Sequence, residues 1–309
     1  MSNRTYIILL NYNGLKDTCE CILSLQELAA EDYTVVVVDN SANPDEYEQL
    51  KRFALEQRLD FAGFQEGQPV AYGNEPLVLI KALRNKGFAH GNNLGLKFGL
   101  QQNGTYFWIL NNDTTVHPDS LSELINCHHK NPKALLGSKL LYFHDKDTIQ
   151  AVGGVFRKNL YISEHVGEGL CKNTAKADLE PIDYPVGASM FVSREFLDEV
   201  GLLDEAFFLY YEELDWVYRA GKKGFRADWC ETSIVYHKEG ASIGSSYRKE
   251  KSFFSEIQLF KSRKKFIEKY YSLNFKFYFS SLLLIANRFR KGKFKLAAEL
   301  LKMTFHDIK

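Results

Sequence analysis

No uninterrupted apolar stretch in this sequence approaches the roughly 18–20 residues needed to span a bilayer. The early run Tyr6-Ile7-Ile8-Leu9-Leu10 is too short for a signal-peptide core and meets polar Asn11 at once. Cysteine is scarce. The five residues Cys19, Cys21, Cys127, Cys171 and Cys230 are odd in number and contain no CxxC. Neither a disulfide framework nor a zinc site is expected, and reduced thiols in a cytoplasmic compartment are the default. Net charge is absent too: 39 basic residues balance 39 acidic ones, so there is no global nucleic-acid signature. No GxGxxG follows the first strand-like segment, which argues against a dinucleotide-dependent oxidoreductase. Repeats and low-complexity linkers are also missing.

What is present is an alternation of strand and helix signals over the first hundred residues. Residues 6–10 and 34–38 are continuous apolar or β-branched runs, as expected of parallel strands buried on both faces. Residues 77–80 and 106–110 read as further strands. Helical patterns cover about 15–28, 44–57 and 90–101. This βαβαβ rhythm predicts an α/β fold with an open, mostly parallel sheet flanked by helices. In such sheets ligands bind beyond the carboxyl ends of the strands. Four polar clusters fall at those ends: 11–13, 39–40, 85–86 and 111–113. Beyond residue 119 come a helix at 121–129, short strands with glycine-rich turns, and a helical pattern over 205–220. A polar loop follows at 238–248, and the remainder is helical.

The balanced total charge hides an asymmetry. From Arg248 onward there are sixteen Lys or Arg and five Asp or Glu, a net of +11, so residues 1–247 carry −11. The division expected is a catalytic region over 1–247, with halves 1–115 and 116–247, and a basic, aromatic helical tail over 248–309. The apolar block from Phe275 to Ile285 is bounded by Lys276 and Arg288, a composition that fits helices on an anionic membrane surface. The same aromatics also fit packing on the catalytic region.

Four segments carry chemistry. In Trp108-Ile109-Leu110-Asn111-Asn112-Asp113 a hydrophobic strand delivers a carboxylate to the sheet edge. A divalent metal that bridges a diphosphate needs such a hard oxygen ligand. In Tyr210-Tyr211-Glu212-Glu213-Leu214-Asp215 three carboxylates follow aromatic residues. On a helix Glu212 and Asp215 share a face, and crowding beside apolar rings raises carboxyl pKa values, which suits a general base. In Val235-Tyr236-His237-Lys238-Glu239-Gly240-Ala241-Ser242, His237 follows a strand and could join Asp113 in a metal site. Asn85-Lys86-Gly87-Phe88-Ala89-His90-Gly91-Asn92-Asn93-Leu94-Gly95 combines small residues, a helix entrance and a cation, a combination that favours phosphate.

Together, and in this order along 5–245, these segments resemble the family 2 glycosyltransferases of the GT-A fold group. The likeness is greater to the rhamnosyltransferase-type branch that builds bacterial surface polysaccharides. The resemblance implies that Asn11, Tyr12 and Asn13 line the nucleobase pocket and that Asp39 binds base or ribose. Asn85 and Lys86 would contact the nucleotide. Asn111-Asn112-Asp113 stands at the family's Asp-x-Asp position, so Asp113 would hold Mg²⁺ or Mn²⁺ and His237 would complete its shell. Glu213 is the first choice for the base, with Asp215 in reserve and Glu212 as the partner in the acidic pair. Gly187 and Ala188 would lie against donor sugar or acceptor.

The implied reaction uses a nucleotide-sugar donor and a saccharide or lipid-linked acceptor hydroxyl, with one base and one displacement, hence inversion. The branch leans toward dTDP-rhamnose, with UDP-hexoses next. A peripheral position on the inner face of the cell membrane would suit a lipid-linked acceptor. Two alternatives stay open. One is a non-catalytic nucleotide- or sugar-binding module. The other is a nucleotidyltransferase, which would usually show a glycine-rich, Arg-containing loop where this chain has Asn11-Tyr12-Asn13-Gly14.

Overall fold

The computed structural model describes residues 4–30, 32–69, 72–238 and 251–306. The segment Glu239-Gly240-Ala241-Ser242, nearly all of the polar loop at 238–248, and the first residues of the basic tail lie outside them. The first half runs β1 (Thr5–Asn11), α1 (Leu15–Gln26), β2 (Tyr33–Asp39), α2 (Pro44–Glu56), β3 (Phe61–Gln65), β4 (Leu77–Lys81), α3 (Phe88–Gln101) and β5 (Tyr106–Asn111). The second half continues with β6 (Thr114–Val116), α4 (Ser120–Lys130), β7 (Ala134–Tyr142), β8 (Asp145–Ala151), β9 (Gly153–Arg157), β10 (Ile162–Val166), β11 (Ser189–Ser193), α5 (Arg194–Val200), α6 (Glu212–Gly221) and β12 (Arg226–His237). Three helices close the chain: α7 (Phe253–Tyr270), α8 (Phe275–Arg290) and α9 (Phe294–Phe305).

The main sheet has the order β3-β4-β2-β1-β5-β11-β7-β12-β6, with β8 paired to β7. Its first five strands are parallel, β11 runs antiparallel to both its neighbours, and β12 is parallel to β7. The expected α/β architecture, a mostly parallel sheet flanked by helices with a helical tail, is the one observed. Alternation along the parallel strands divides them between two cores. Ile7, Leu9, Val35, Val37, Trp108 and Leu110 face α1, α2 and α4. Ile8, Val36, Val38, Phe107 and Ile109 face α3, α5 and α6. Burial on both sides is why these strands read as unbroken apolar runs.

The helix α3 lies close on β1 because Gly91, Gly95 and Gly99 form its inner stripe. A Cβ at these positions would come 2.3 Å from Leu10, 2.6 Å from Ile8 and 2.8 Å from Tyr6. The segment expected to be helical from 205 begins its helix only at Glu212, because Tyr210 and Tyr211 both take left-handed backbone angles, φ 69° and 70°.

A further difference concerns the cysteines, and the tail takes one of the two places expected for it. Cys127 on α4 and Cys230 on β12 form a disulfide, correcting the expectation of five reduced thiols. The helix packs on that strand and brings together residues 103 positions apart, a separation that leaves no local motif. The tail packs on the rest of the chain: Phe260, Phe266, Phe277, Ile285 and Leu300 share one apolar cluster with Phe156, Tyr184, Phe207, Tyr211 and Leu214. Buried Arg263 latches this junction. It donates to the backbone oxygens of Tyr161 and Leu160 and to the hydroxyls of Ser280 and Ser281.

Candidate active site

The parallel strand order reverses beside β1, with β2 on one side and β5 on the other. A crevice at the carboxyl ends of these strands is the natural ligand position in such a sheet. A cavity of about 500 Å³ opens there. Its walls include Tyr12, Asn85, Asn111, Asn112 and Asp113 from the sheet edge, Gly187 and Ala188 from the approach to β11, and Glu212 and Glu213 from α6. Its far wall comes from the tail, with Phe260, Arg263, Leu284, Arg288 and Leu300.

Asp113 is buried just beyond β5, and His237 ends β12. His237 Nε2 lies 3.2 Å from Asp113 Oδ1 and 3.5 Å from Asn111 Nδ2. His237 Nδ1 lies 2.7 Å from Gln150 Oε1. The Gln150 amide oxygen can only accept, so Nδ1 carries a proton; in the neutral imidazole the Nε2 lone pair then faces the Asp113 carboxylate. Two lone-pair donors facing each other at this distance fit a cation between them. Among the described residues no group of three or more His, Cys, Asp or Glu could hold a metal. Two protein donors nevertheless suit a divalent ion that takes its remaining oxygens from phosphates and water.

The acidic pair sits at the N-terminus of α6, where the helix dipole favours negative charge. Burial pushes the Glu213 carboxyl up to about 7. Burial first, and then the charge of Glu213, raises Glu212 well above the carboxylate range. Among the described residues the buried Glu212 Oε2 has no hydrogen-bond partner. The left-handed tyrosines that aim this turn are bulky residues in a region costing about 1–3 kcal/mol each. Surrounding contacts hold them. The Tyr211 ring packs 5.4 Å from Phe266, Lys251 Nζ lies 4.9 Å from the Tyr210 ring centroid, and Ser262 Oγ donates to Leu209 O. Phe88 N donates to Phe208 O at 2.8 Å, clamping the α3 entrance onto the same loop.

Other expected residues take supporting places. Asn11 and Asp39 are completely buried beneath the edge. Asn11 Nδ2 donates to Asp39 Oδ1 at 2.9 Å, and Lys81 pairs with Asp39 Oδ2 at 2.6 Å. Asn13 is exposed and donates its backbone N–H to Ser41 Oγ. Asn112 Nδ2 donates to Thr18 Oγ1, and Asn85 Oδ1 accepts from Asn40 Nδ2 and from Gly87 N. Lys86 turns to Glu66 at 3.7 Å and is not part of the cavity wall. His90 and Asn93, in the segment expected to meet phosphate, instead hold the loop at 203–205.

Asp215 corrects the expectation of a reserve base. It is completely buried outside the cavity, with Arg219 at 2.8 Å, Lys269 at 2.5 Å and the Tyr270 hydroxyl at 2.7 Å. Its oxygens are committed to tying α6 to α7. Gln150, Tyr184, His165 and the tail residues of the far wall were not foreseen. They come from segments without a local motif, and only the fold brings them to the site.

Comparison with known proteins gives the family and the fold. The family model described as glycosyl transferase family 2 matches residues 6–201, and that of glycosyl transferase family group 2 matches 106–298. The low-salt glycan biosynthesis hexosyltransferase Agl10 of Haloferax volcanii is 23% identical over 75% of this chain and 66% of its own length. The dTDP-rhamnosyl transferase RfbF of Shigella flexneri is 23% identical over 71% of this chain and 64% of its own. The match thus spans just under two thirds of each relative.

Among solved structures, GalNAc-T7 with UDP, GalNAc and Mn²⁺ superposes with a TM-score of 0.64 at 14% identity, covering 92% of this chain and 51% of that one. The mannosyltransferase PcManGT of Pyrobaculum calidifontis, in complex with GDP-Man and Mn²⁺, gives 0.55 at 13% identity, covering 99% and 76%. The fold is of the GT-A type, and with the family match extending over residues 6–201 the chain belongs to glycosyl transferase family 2.

Proposed function

We propose that this chain is an inverting, metal-dependent glycosyltransferase of surface polysaccharide synthesis. Its donor is a nucleotide sugar, dTDP-rhamnose first and UDP-hexoses next. Its acceptor is a hydroxyl of a saccharide or lipid-linked saccharide, met at the inner face of the cell membrane. The two relatives, a dTDP-rhamnosyl transferase and a hexosyltransferase, support these donor classes.

One observation carries the reading. The Asp113–His237 pair and Glu213, a carboxyl poised near neutrality, line the same cavity. Asp113 and His237 would hold Mg²⁺ or Mn²⁺, which supplies positive charge against the developing charge of a leaving diphosphate. Gln150 keeps the His237 imidazole in the tautomer that presents Nε2. Glu213 is half ionised near pH 7, so it can accept the acceptor hydroxyl's proton as that oxygen attacks. Gly187 leaves the wall flat beside Phe88, where a Cβ would stand 4.0 Å from the ring, and so leaves room for a sugar. One base and one displacement give inversion at the anomeric carbon.

The test is donor turnover across UDP-, dTDP- and GDP-sugars, with the anomer of the released sugar followed by NMR in the first minutes. Turnover of one donor with initial release of the opposite anomer is expected. Release of the donor's own anomer would refute inversion. Absence of both turnover and metal-dependent nucleotide binding would leave the non-catalytic module.

A further inference from the structure

The helices α8 and α9 are apolar on two faces, and the protein core accounts for one. In α8 the buried face is Phe277, Ser280, Ser281 and Ile285. The opposite face presents Phe275, Phe279, Leu282, Leu283 and Phe289 to solvent, at spacings that trace one stripe along the helix. In α9 the buried face is Leu296, Ala297, Leu300, Met303 and Thr304, while Phe294, Leu301 and Phe305 point outward. Phe275 is 78% exposed and Phe294 is 65% exposed. A surface helix normally turns charged residues to water on that side, and contiguous exposed apolar surface marks an interaction site.

The two stripes belong to one surface. Phe289 and Phe294 pair across the intervening turn at 6.1 Å, and Tyr278 stacks on Phe305 at 5.6 Å at the other end of the hairpin. Cations border it in register. Lys276, Arg290, Lys295 and Lys302 each follow an outward apolar residue by one position. Residues 275–305 hold seven basic residues, of which Arg288 and Lys293 turn to Glu256 of α7, and one acid, Glu299, which lies 3.6 Å from Lys302.

We propose that the α8–α9 hairpin lies in the plane of an anionic lipid surface, with its outward rings at the headgroup–acyl boundary and Lys276, Arg290, Lys295 and Lys302 at lipid phosphates. Apolar rings bordered by cations are the composition such a surface attracts. Among the described residues no helix is long and apolar enough to cross a membrane, so the contact is in-plane. A second copy of the chain fits poorly. A two-fold contact sets a patch against itself, which would bring the same cations together. Leu284 and Leu300 of these helices line the cavity that holds Glu213, so the lipid surface lies beside the far end of the active site.

This deepens the proposed function by naming the surface that meets the membrane, and rests on that reading only for what is delivered there. Its test needs neither donor nor acceptor. The full chain is sedimented with vesicles of phosphatidylcholine alone and with about one third phosphatidylglycerol. Binding to the anionic vesicles is expected, weakened by Lys276→Glu with Lys295→Glu. The triple variant Phe275→Ser, Phe279→Ser, Phe294→Ser should lose affinity by about tenfold per ring, with an unchanged unfolding midpoint because these rings face water.

Failure of the wild type to sediment with anionic vesicles, or equal binding by the triple variant, would overturn the proposal while leaving the transferase reading untouched. A wild-type dimer in gel filtration that the triple variant dissolves would also overturn it, assigning the face to a second copy.

Discussion

Replacing Glu213 by glutamine is expected to have two opposite effects, both following from its position in the cavity. The carboxyl is held at about 7 against an ordinary 4.5 because burial penalises its charged form. Between those two pH values the folded protein binds more protons at this position than the unfolded chain does. Stability contributed there is fully present below about pH 4.5 and is lost as pH rises through about 7. The displacement corresponds to about 3 kcal/mol. Glu213→Gln never carries the charge, so at pH 8 it should be more stable than wild type by about that amount, and equal to it near pH 4.

Activity should move the other way. Wild-type turnover with acceptor should rise with pH through about 7, and the variant should be slower by roughly 10²- to 10⁴-fold with no such rise. Urea unfolding followed by tryptophan fluorescence at the two pH values, beside a pH–rate profile, reads both. Equal stability at pH 8, or a variant that keeps the pH-dependent rate, would refute the assignment of Glu213.

Gly87 has φ +97° and faces the backbone of Phe208, where a Cβ would come 2.2 Å from the carbonyl oxygen and 2.7 Å from Cα. Gly87→Ala should therefore cost at least about 2 kcal/mol and unseat the acidic loop, read as a lower melting temperature together with lost turnover. Gln150→Ala should weaken Mn²⁺ affinity about ten- to a hundredfold without moving the midpoint near pH 7, since Gln150 contacts His237 and not Glu213. Asp215→Asn should lower stability by about 2 kcal/mol, because Arg219 and Lys269 lose a buried ionic partner while keeping Val200 O, Leu202 O and Asp204, and the pH–rate midpoint stays in place. A shifted midpoint in that variant would return Asp215 to the chemistry.

The parallel half of the fold was legible because strands covered on both sides must be continuous apolar runs, and residues 6–10, 34–38 and 106–110 are such runs. The polar residues that follow them mark the sheet edge for the same reason. β3 escaped notice because Phe61-Ala62-Gly63-Phe64-Gln65 is an edge strand with a central glycine and a mixed burial pattern. The start of α6 was misplaced because nothing local signals two left-handed tyrosines, a conformation usually given to glycine.

Helical spacing puts Glu212 and Asp215 on neighbouring positions of a turn, but it does not reveal that α7 brings Lys269 and Tyr270 against the latter. The disulfide, Gln150 and the tail's share of the cavity wall are all long-range consequences of packing. The tail's composition suggested both a membrane surface and packing on the catalytic region. The structure divides its aromatics between a buried face and an exposed one.

Release of nucleoside diphosphate from the preferred donor, measured with Mn²⁺ and with EDTA for the wild type and for Asp113→Ala, bears most directly on the account. Metal-dependent release that disappears in the variant, with its fold intact, is the predicted result. Release that is equal in EDTA, or undiminished in Asp113→Ala, would contradict a metal-assisted transfer centred on Asp113 and His237.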